Sequence, residues 1–208
     1  DVKEMKKLTI KYILKEIFNS ITHNGIEVKV IPGKEKEAIF KLKGTAKYFA
    51  VIKIGNAFNW IKENLRNYVV VPSFDEEDSA FANLDERKEI SILMGSRAFY
   101  EGWDSTRPNL ILFINIGVGK EAKKFVIQSI GRGVRIEPLS DKRKRLLKLS
   151  NNDEDENVYE KSKELINELE TVFIFGTKIS ALQQIIGDLK QNTAKEEILK
   201  IIKNRNIT

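Results

Sequence analysis

The chain has 208 residues, 41% hydrophobic and 32% charged, which is enough to bury a substantial core and excludes a disordered or fibrous composition. With 36 Lys and Arg against 30 Asp and Glu the formal charge is +6, a mild excess that permits a nucleic-acid partner without requiring one. The absence of cysteine excludes disulfide and thiolate chemistry and leads to the expectation of a cytoplasmic setting, the single histidine (His23) leaves little scope for a His-rich metal site or a Ser-His-Asp triad, and no apolar run or signal pattern points to a membrane.

Along the chain, Met5, Leu8, Tyr12, Ile13, Ile17 and Phe18 recur at helical spacing and predict an amphipathic helix over 4–21. Strands are expected at Ile26–Ile31 and Ala38–Leu42, with Pro32-Gly33 between them as the punctuation of a hairpin. The apolar stretch Tyr48–Ile54 reads as a strand, Gly55-Asn56 as a turn, Ala57–Leu65 as a helix and Tyr68–Val71 as a short strand. A polar loop through Pro72 and Asp85 leads to a strand at Ile90–Met94, and Leu110–Ile116 is a nearly continuous apolar strand. Glu121–Gly131 and 158–169 are expected helices, Thr171–Phe175 a strand, and Ile179–Leu189 and 194–204 further helices. Apolar strands alternating with helices imply βαβ units and a parallel sheet covered on both faces, with functional loops at the carboxyl ends of the strands.

Two stretches carry the chemistry. The first, GSRAFYEGWD (Gly95–Asp104), follows the strand at 90–94. The second, QSIGRGVRIEP (Gln128–Pro138), lies one helix after the strand at 110–116, so both are expected at the carboxyl edge. Arg132 and Arg135 stand three positions apart and share a helix face, so two planar, permanently charged guanidinium groups can converge on one anion. Gly131 and Gly133 beside them would let a backbone or a phosphate approach closely. Basic residues gather just beyond (Lys142, Arg143, Lys144, Arg145, Lys148) and an acidic run follows at Asp153–Glu156; a solvated helix face and loop account for these as well.

These residues resemble motifs V and VI of superfamily-two helicases and translocases. Glu101-Gly102-Trp103-Asp104 matches the end of motif V, and Gln128, Gly131, Arg132 and Arg135 match the Q-x-x-G-R-x-x-R of motif VI. NIGVGKEAKKF (Asn115–Phe125) and YFAVIKIGNAFNWIKE near motif IV are similar to the same group. Over roughly residues 48–190 the chain resembles the second RecA-like domain of the Res subunits of type III restriction enzymes and their DEAD/DEAH-like relatives. The resemblance implies an α/β fold with a RecA-like parallel sheet and helices on both faces over 47–208, preceded by a helix and β-hairpin elaboration over 1–46. It implies that Arg132 and Arg135 are arginine fingers reaching the ATP site of a preceding domain, with Gly102, Asp104, Gln128 and Gly131 at the nucleotide cleft. Ser96 matches a hydroxyl that contacts the nucleic-acid backbone in relatives, and Arg97 beside it is taken as nucleic-acid-binding too. The implied partners are DNA, the N-terminal RecA-like domain of the same protein and a modification (methyltransferase) subunit. ATP with Mg²⁺ would be bound mainly by that first domain.

Each residue also has a plainer reading: a surface ion pair at a helix end for the arginines, core packing for Trp103, a cap or turn carboxylate for Asp104, a capping hydroxyl for Ser96. Gly117-Val118-Gly119-Lys120 is not a phosphate-cradling P-loop, because the upstream glycine is wrongly spaced and Glu121 stands where the magnesium-binding hydroxyl belongs. Glu27-Val28-Lys29 is a fragment of a nuclease ExK pattern, better explained by alternating charge on an exposed strand. DEED (Asp75–Asp78) falls on a loop. The chain begins at Asp1 without methionine and is read as a piece of a longer protein, unable to hydrolyse ATP alone. A non-catalytic RecA-like binding module and an endonuclease domain are the rival functions.

Overall fold

The computed structural model describes residues 8–30, 34–72, 79–96, 105–137, 142–146, 160 and 166–192, and the chain divides into two compact units, Asp1–Arg107 and Pro108–Thr208. In the first unit, Thr9 starts helix α1 (Ile10–Phe18) by accepting the Tyr12 amide on its Oγ1 at 3.2 Å. Asn19 ends it in the left-handed conformation, φ 53°, and its side-chain amide donates to the carbonyls of Tyr48 and Glu89.

Strands β1 (Ile26–Val30), β2 (Glu37–Leu42), β3 (Ala50–Lys53), β4 (Tyr68–Pro72) and β5 (Ile92–Gly95) form one sheet in the order β4-β1-β2-β3-β5, with helix α2 (Ala57–Asn64) between β3 and β4 in sequence. The expected hairpin is present, β1 pairing antiparallel with β2 in the register Val28↔Phe40. β2 pairs antiparallel with β3, while β1–β4 and β3–β5 are parallel. Four strands therefore run one way and β2 runs against them, so the sheet is mostly parallel, as expected of an α/β fold, and the expected hairpin is built into it. The physical reason is connection length: the short links on either side of β2 permit only antiparallel return, because a parallel partner needs a crossover of about a dozen residues or more.

One face of this sheet buries Val28, Phe40 and Ile52 against Ala57 and Ile61 of α2, with Leu14 and Phe18 of α1 packed alongside. The Phe18 and Phe49 rings lie 4.9 Å apart. The other face buries Ile39 and Val51 under Ala80, Phe81, Leu84 and Ile90, which belong to a turn-rich segment. Among the described residues both helices of this unit pack on the first face, and turns cover the second. β1 and β2, assigned by sequence to an elaboration over 1–46, occupy inner positions of the sheet that also holds β3 and β5.

The second unit is a βαβ arrangement. β6 (Leu110–Phe113) is followed by helix α3 (Lys120–Gly133), a short helix α4 (Ile166–Leu169), β7 (Phe173–Gly176) and helix α5 (Ile179–Asn192). β6 and β7 pair in parallel, Ile111↔Ile174. Phe113 and Val126 pack with Leu182, Ile185 and Ile186 of α5, and the Phe113 and Phe125 rings meet edge to face at 5.8 Å. Lys123 and Asp188 join α3 to α5 at 2.8 Å, an exposed ion pair that stabilises by no more than about 1 kcal/mol. The helix predicted at 194–204 lies outside the described residues.

Candidate functional site

The second motif stands at the end of α3. Gln128 and Arg132 are related as i and i+4 within α3 and lie on one side of it, and Arg135 stands two residues past its end at Gly133, where its amide donates to the Arg132 carbonyl at 3.2 Å. Arg132 is half-buried and Arg135 exposed. Gln128 is half-buried as well, and among the described residues its buried Oε1 accepts no hydrogen bond.

The two glycines differ. A Cβ on the exposed Gly131 would meet nothing within 4 Å, whereas one on the buried Gly133 would lie 3.0 Å from both Ile111 Cδ1 and Val172 Cγ1. The space beside Gly133 is taken by the chain's own strands, so its part in admitting a phosphate is corrected: it lets the helix end close onto β6 and β7.

That contact also corrects the expected edge. Gly133 meets Ile111, Val172 and the carbonyl of Pro108; Val172 directly precedes β7 and Pro108 stands two residues before β6, so the end of α3 that carries Arg132 lies by the amino ends of these strands. The cause is length. A 14-residue helix spans about 21 Å against about 13 Å for a four-residue strand, so a helix returning from the carboxyl edge reaches the opposite one.

The first motif begins where expected, with Gly95 ending β5 and Ser96 exposed just beyond it at the carboxyl edge of the first unit's sheet. Arg97, Gly102, Trp103 and Asp104, and the acidic stretch Asp75–Asp78, lie outside the described residues. Ser96 belongs to the first unit and Gln128, Gly131, Arg132 and Arg135 to the second. The other leads resolve plainly. Glu27 faces Lys41 across the β1–β2 ladder at 3.0 Å, on an inner, half-buried strand rather than the exposed one expected, and no group of three metal-binding side chains exists among the described residues. Gly119 is the N-cap of α3, and Glu121 sits in its first turn, where a carboxylate complements the helix dipole rather than a phosphate. Arg143 pairs with Glu137 at 3.1 Å on the surface, and no described helix is long and apolar enough to cross a membrane.

Two features escape a linear reading. The Arg107 guanidinium donates to the carbonyls of Leu84, Arg87, Lys88 and Ile90, and Ser105 Oγ donates to Asp85. These contacts tie the chain leaving the first motif to the turn that covers the sheet. Arg107→Ala is expected to destabilise the unit by about 2–4 kcal/mol, with Arg107→Lys recovering only part because an ammonium cannot fork across four acceptors; urea unfolding of the two variants checks both.

The second is an open cleft of about 510 Å³ bordered by Lys34, Lys36 and Lys53 together with Glu35, Glu37 and Ser79. Lys34–Glu37 are consecutive in the chain, and the β2–β3 register, which sets Glu37 opposite Lys53, brings the last lysine to them. Comparison with protein-family models, with curated proteins and with solved structures finds no match for this chain.

Proposed function

We propose that the chain contributes the second motor domain of a superfamily-two helicase or translocase. The particular kind is the ATP-dependent DNA translocase built into a type III restriction enzyme as its Res subunit. The observation that carries this reading is the placement of Gln128 and Arg132 one turn apart at the end of α3 with Arg135 just past it, preceded in sequence by the Gly102-Trp103-Asp104 pattern. In this reading a first motor domain holds ATP with Mg²⁺, and the two guanidinium groups supply positive charge to the γ-phosphoryl group as charge develops on it. Ser96 and Arg97 meet the DNA backbone, and cleft closure and opening over the hydrolysis cycle moves the domain along the strand.

The test is ATP turnover. The chain alone is expected to hydrolyse none, and the protein carrying a first motor domain is expected to show DNA-stimulated hydrolysis that depends on Arg132 and Arg135. Turnover by the chain alone that Arg135→Ala abolishes would contradict the reading. One observation favours a non-catalytic nucleic-acid-binding module instead: the arginines stand at the amino edge of β6–β7, opposite to the edge where α/β sheets usually carry ligands. That module predicts ordinary DNA affinity and indifference of the whole protein to Arg132→Ala.

A further inference from the structure

We propose that Asn24-Gly25, on the link from α1 into β1, is a site of spontaneous covalent modification, at which Asn24 loses its side-chain amide and becomes aspartate and isoaspartate. It is the one Asn-Gly pair in the chain. Both residues are exposed and lie outside any helix or strand, directly ahead of Ile26.

The nucleophile is the Gly25 backbone nitrogen, tethered to the Asn24 side-chain carbonyl, so attack is intramolecular. Among the described residues the Gly25 amide donates no hydrogen bond; Gly25 joins the pairing only through its carbonyl, which accepts from the Lys43 amide at 2.8 Å. The Lys43 carbonyl, which continues the β1–β2 register opposite Gly25, accepts instead from Asn24 Nδ2 at 3.0 Å. Nothing stands within 4 Å of a Cβ built on Gly25, so water and base reach this nitrogen. The leaving nitrogen, Nδ2, is held to the Lys43 carbonyl and, at 3.2 Å, to Thr22 Oγ1. Both bonds are exposed, so they open at low cost.

In the reaction the Gly25 nitrogen gives its proton to solvent base and bonds to Asn24 Cγ. The Cγ–Nδ2 bond then breaks, Nδ2 takes up a proton and ammonia leaves behind a cyclic imide. Water opens the imide. Opening at Cγ gives aspartate; opening at the backbone carbonyl carbon gives isoaspartate, with the main chain running through Cγ. Water enters, ammonia leaves, and nothing is oxidised or reduced.

Asn19-Ser20, on the same link, is the contrast. The Asn19 amide donates to the carbonyls of Tyr48 at 3.0 Å and Glu89 at 2.8 Å, and the buried Ser20 donates its backbone amide to the Leu14 carbonyl at 3.0 Å. Leaving group and nucleophile are both engaged there. At Asn24 the product alters the fold: a carboxylate cannot donate to the Lys43 carbonyl, and two acceptors then face each other at the open end of the β1–β2 pair.

The proposal stands apart from the motor reading and is tested on the full chain, held in mildly alkaline buffer either folded or in urea. The tryptic peptide Glu16–Lys29 carries both asparagines and is followed by mass spectrometry, with isoaspartate detected by enzymatic methylation. Asn24 is expected to convert in the folded chain, and Asn19 only in urea. Gly25→Ala is expected to slow conversion roughly tenfold with unaltered melting, because Gly25 is not in the left-handed region and its Cβ meets no neighbour yet shields the nitrogen. Should that variant not fold, Asn24→Gln, which would have to close a larger ring, is expected to abolish the conversion. Asn24→Asp is expected to unfold at lower urea than the parent chain; equal unfolding would overturn the loss of the Lys43 bond as the consequence. Asn24 intact in the folded chain through the interval in which it converts in urea overturns the proposal, as does folded Asn19 converting as fast as Asn24, or Gly25→Ala reacting at the parent rate.

Discussion

Arg135→Ala, in the protein carrying a first motor domain, is expected to lower DNA-stimulated ATP turnover by about three to five powers of ten, with substrate affinity changed far less. The guanidinium would meet its partner chiefly in the transition state, when charge spreads over the equatorial oxygens of the transferring phosphoryl group, so its removal falls on kcat rather than KM. Arg132→Ala should fall in the same range. The double variant should lie close to either single one, because groups that act on one charge as a unit are not additive. Lysine at either position keeps the charge but loses the planar fork, and should recover only part of the rate. The steady-state rate and single-turnover hydrolysis measure this directly. Undiminished turnover in Arg135→Ala would remove the motor reading and leave the binding module.

Phe81→Ala should cost the first unit about 3–5 kcal/mol. Phe81 is 1% exposed, packs among Ile39, Val51, Leu84 and Ile90, and carries the Lys53 ammonium on its ring face. Its backbone amide also donates to buried Glu37, a bond that survives the substitution, so the loss reports the ring itself. No helix covers this face among the described residues, so the ring anchors the turn-rich segment to β2 and β3. Both tryptophans, Trp60 and Trp103, fall within Asp1–Arg107, so tryptophan fluorescence in urea follows this unit. The midpoint should drop by roughly 2 M at unchanged slope, and Phe81→Leu should lose well under half as much. A drop of less than about 0.5 M would show that the segment contributes little to holding the unit together.

Where a residue pattern repeats locally, the sequence determined the outcome by itself. Apolar residues at helical spacing placed α1, local pattern placed α2, α3 and α5, apolar stretches placed the seven strands, and the turn residues between the first two strands led to the expectation of the β1–β2 hairpin, because local sterics and burial periodicity act within a few residues. The i, i+3 spacing of Arg132 and Arg135 was legible in the same way, although the helix stops at Gly133, between them. Only the tertiary structure decided which strands pair, that β2 runs against its neighbours, and that a turn rather than a helix covers Ile39 and Val51. It alone set the arginines at the amino edge of β6–β7, assigned Gly133 to internal packing, and brought Lys53 beside Lys34 and Lys36. These follow from contacts between residues far apart in the chain, whose free energy depends on register and crossover geometry that no local pattern encodes.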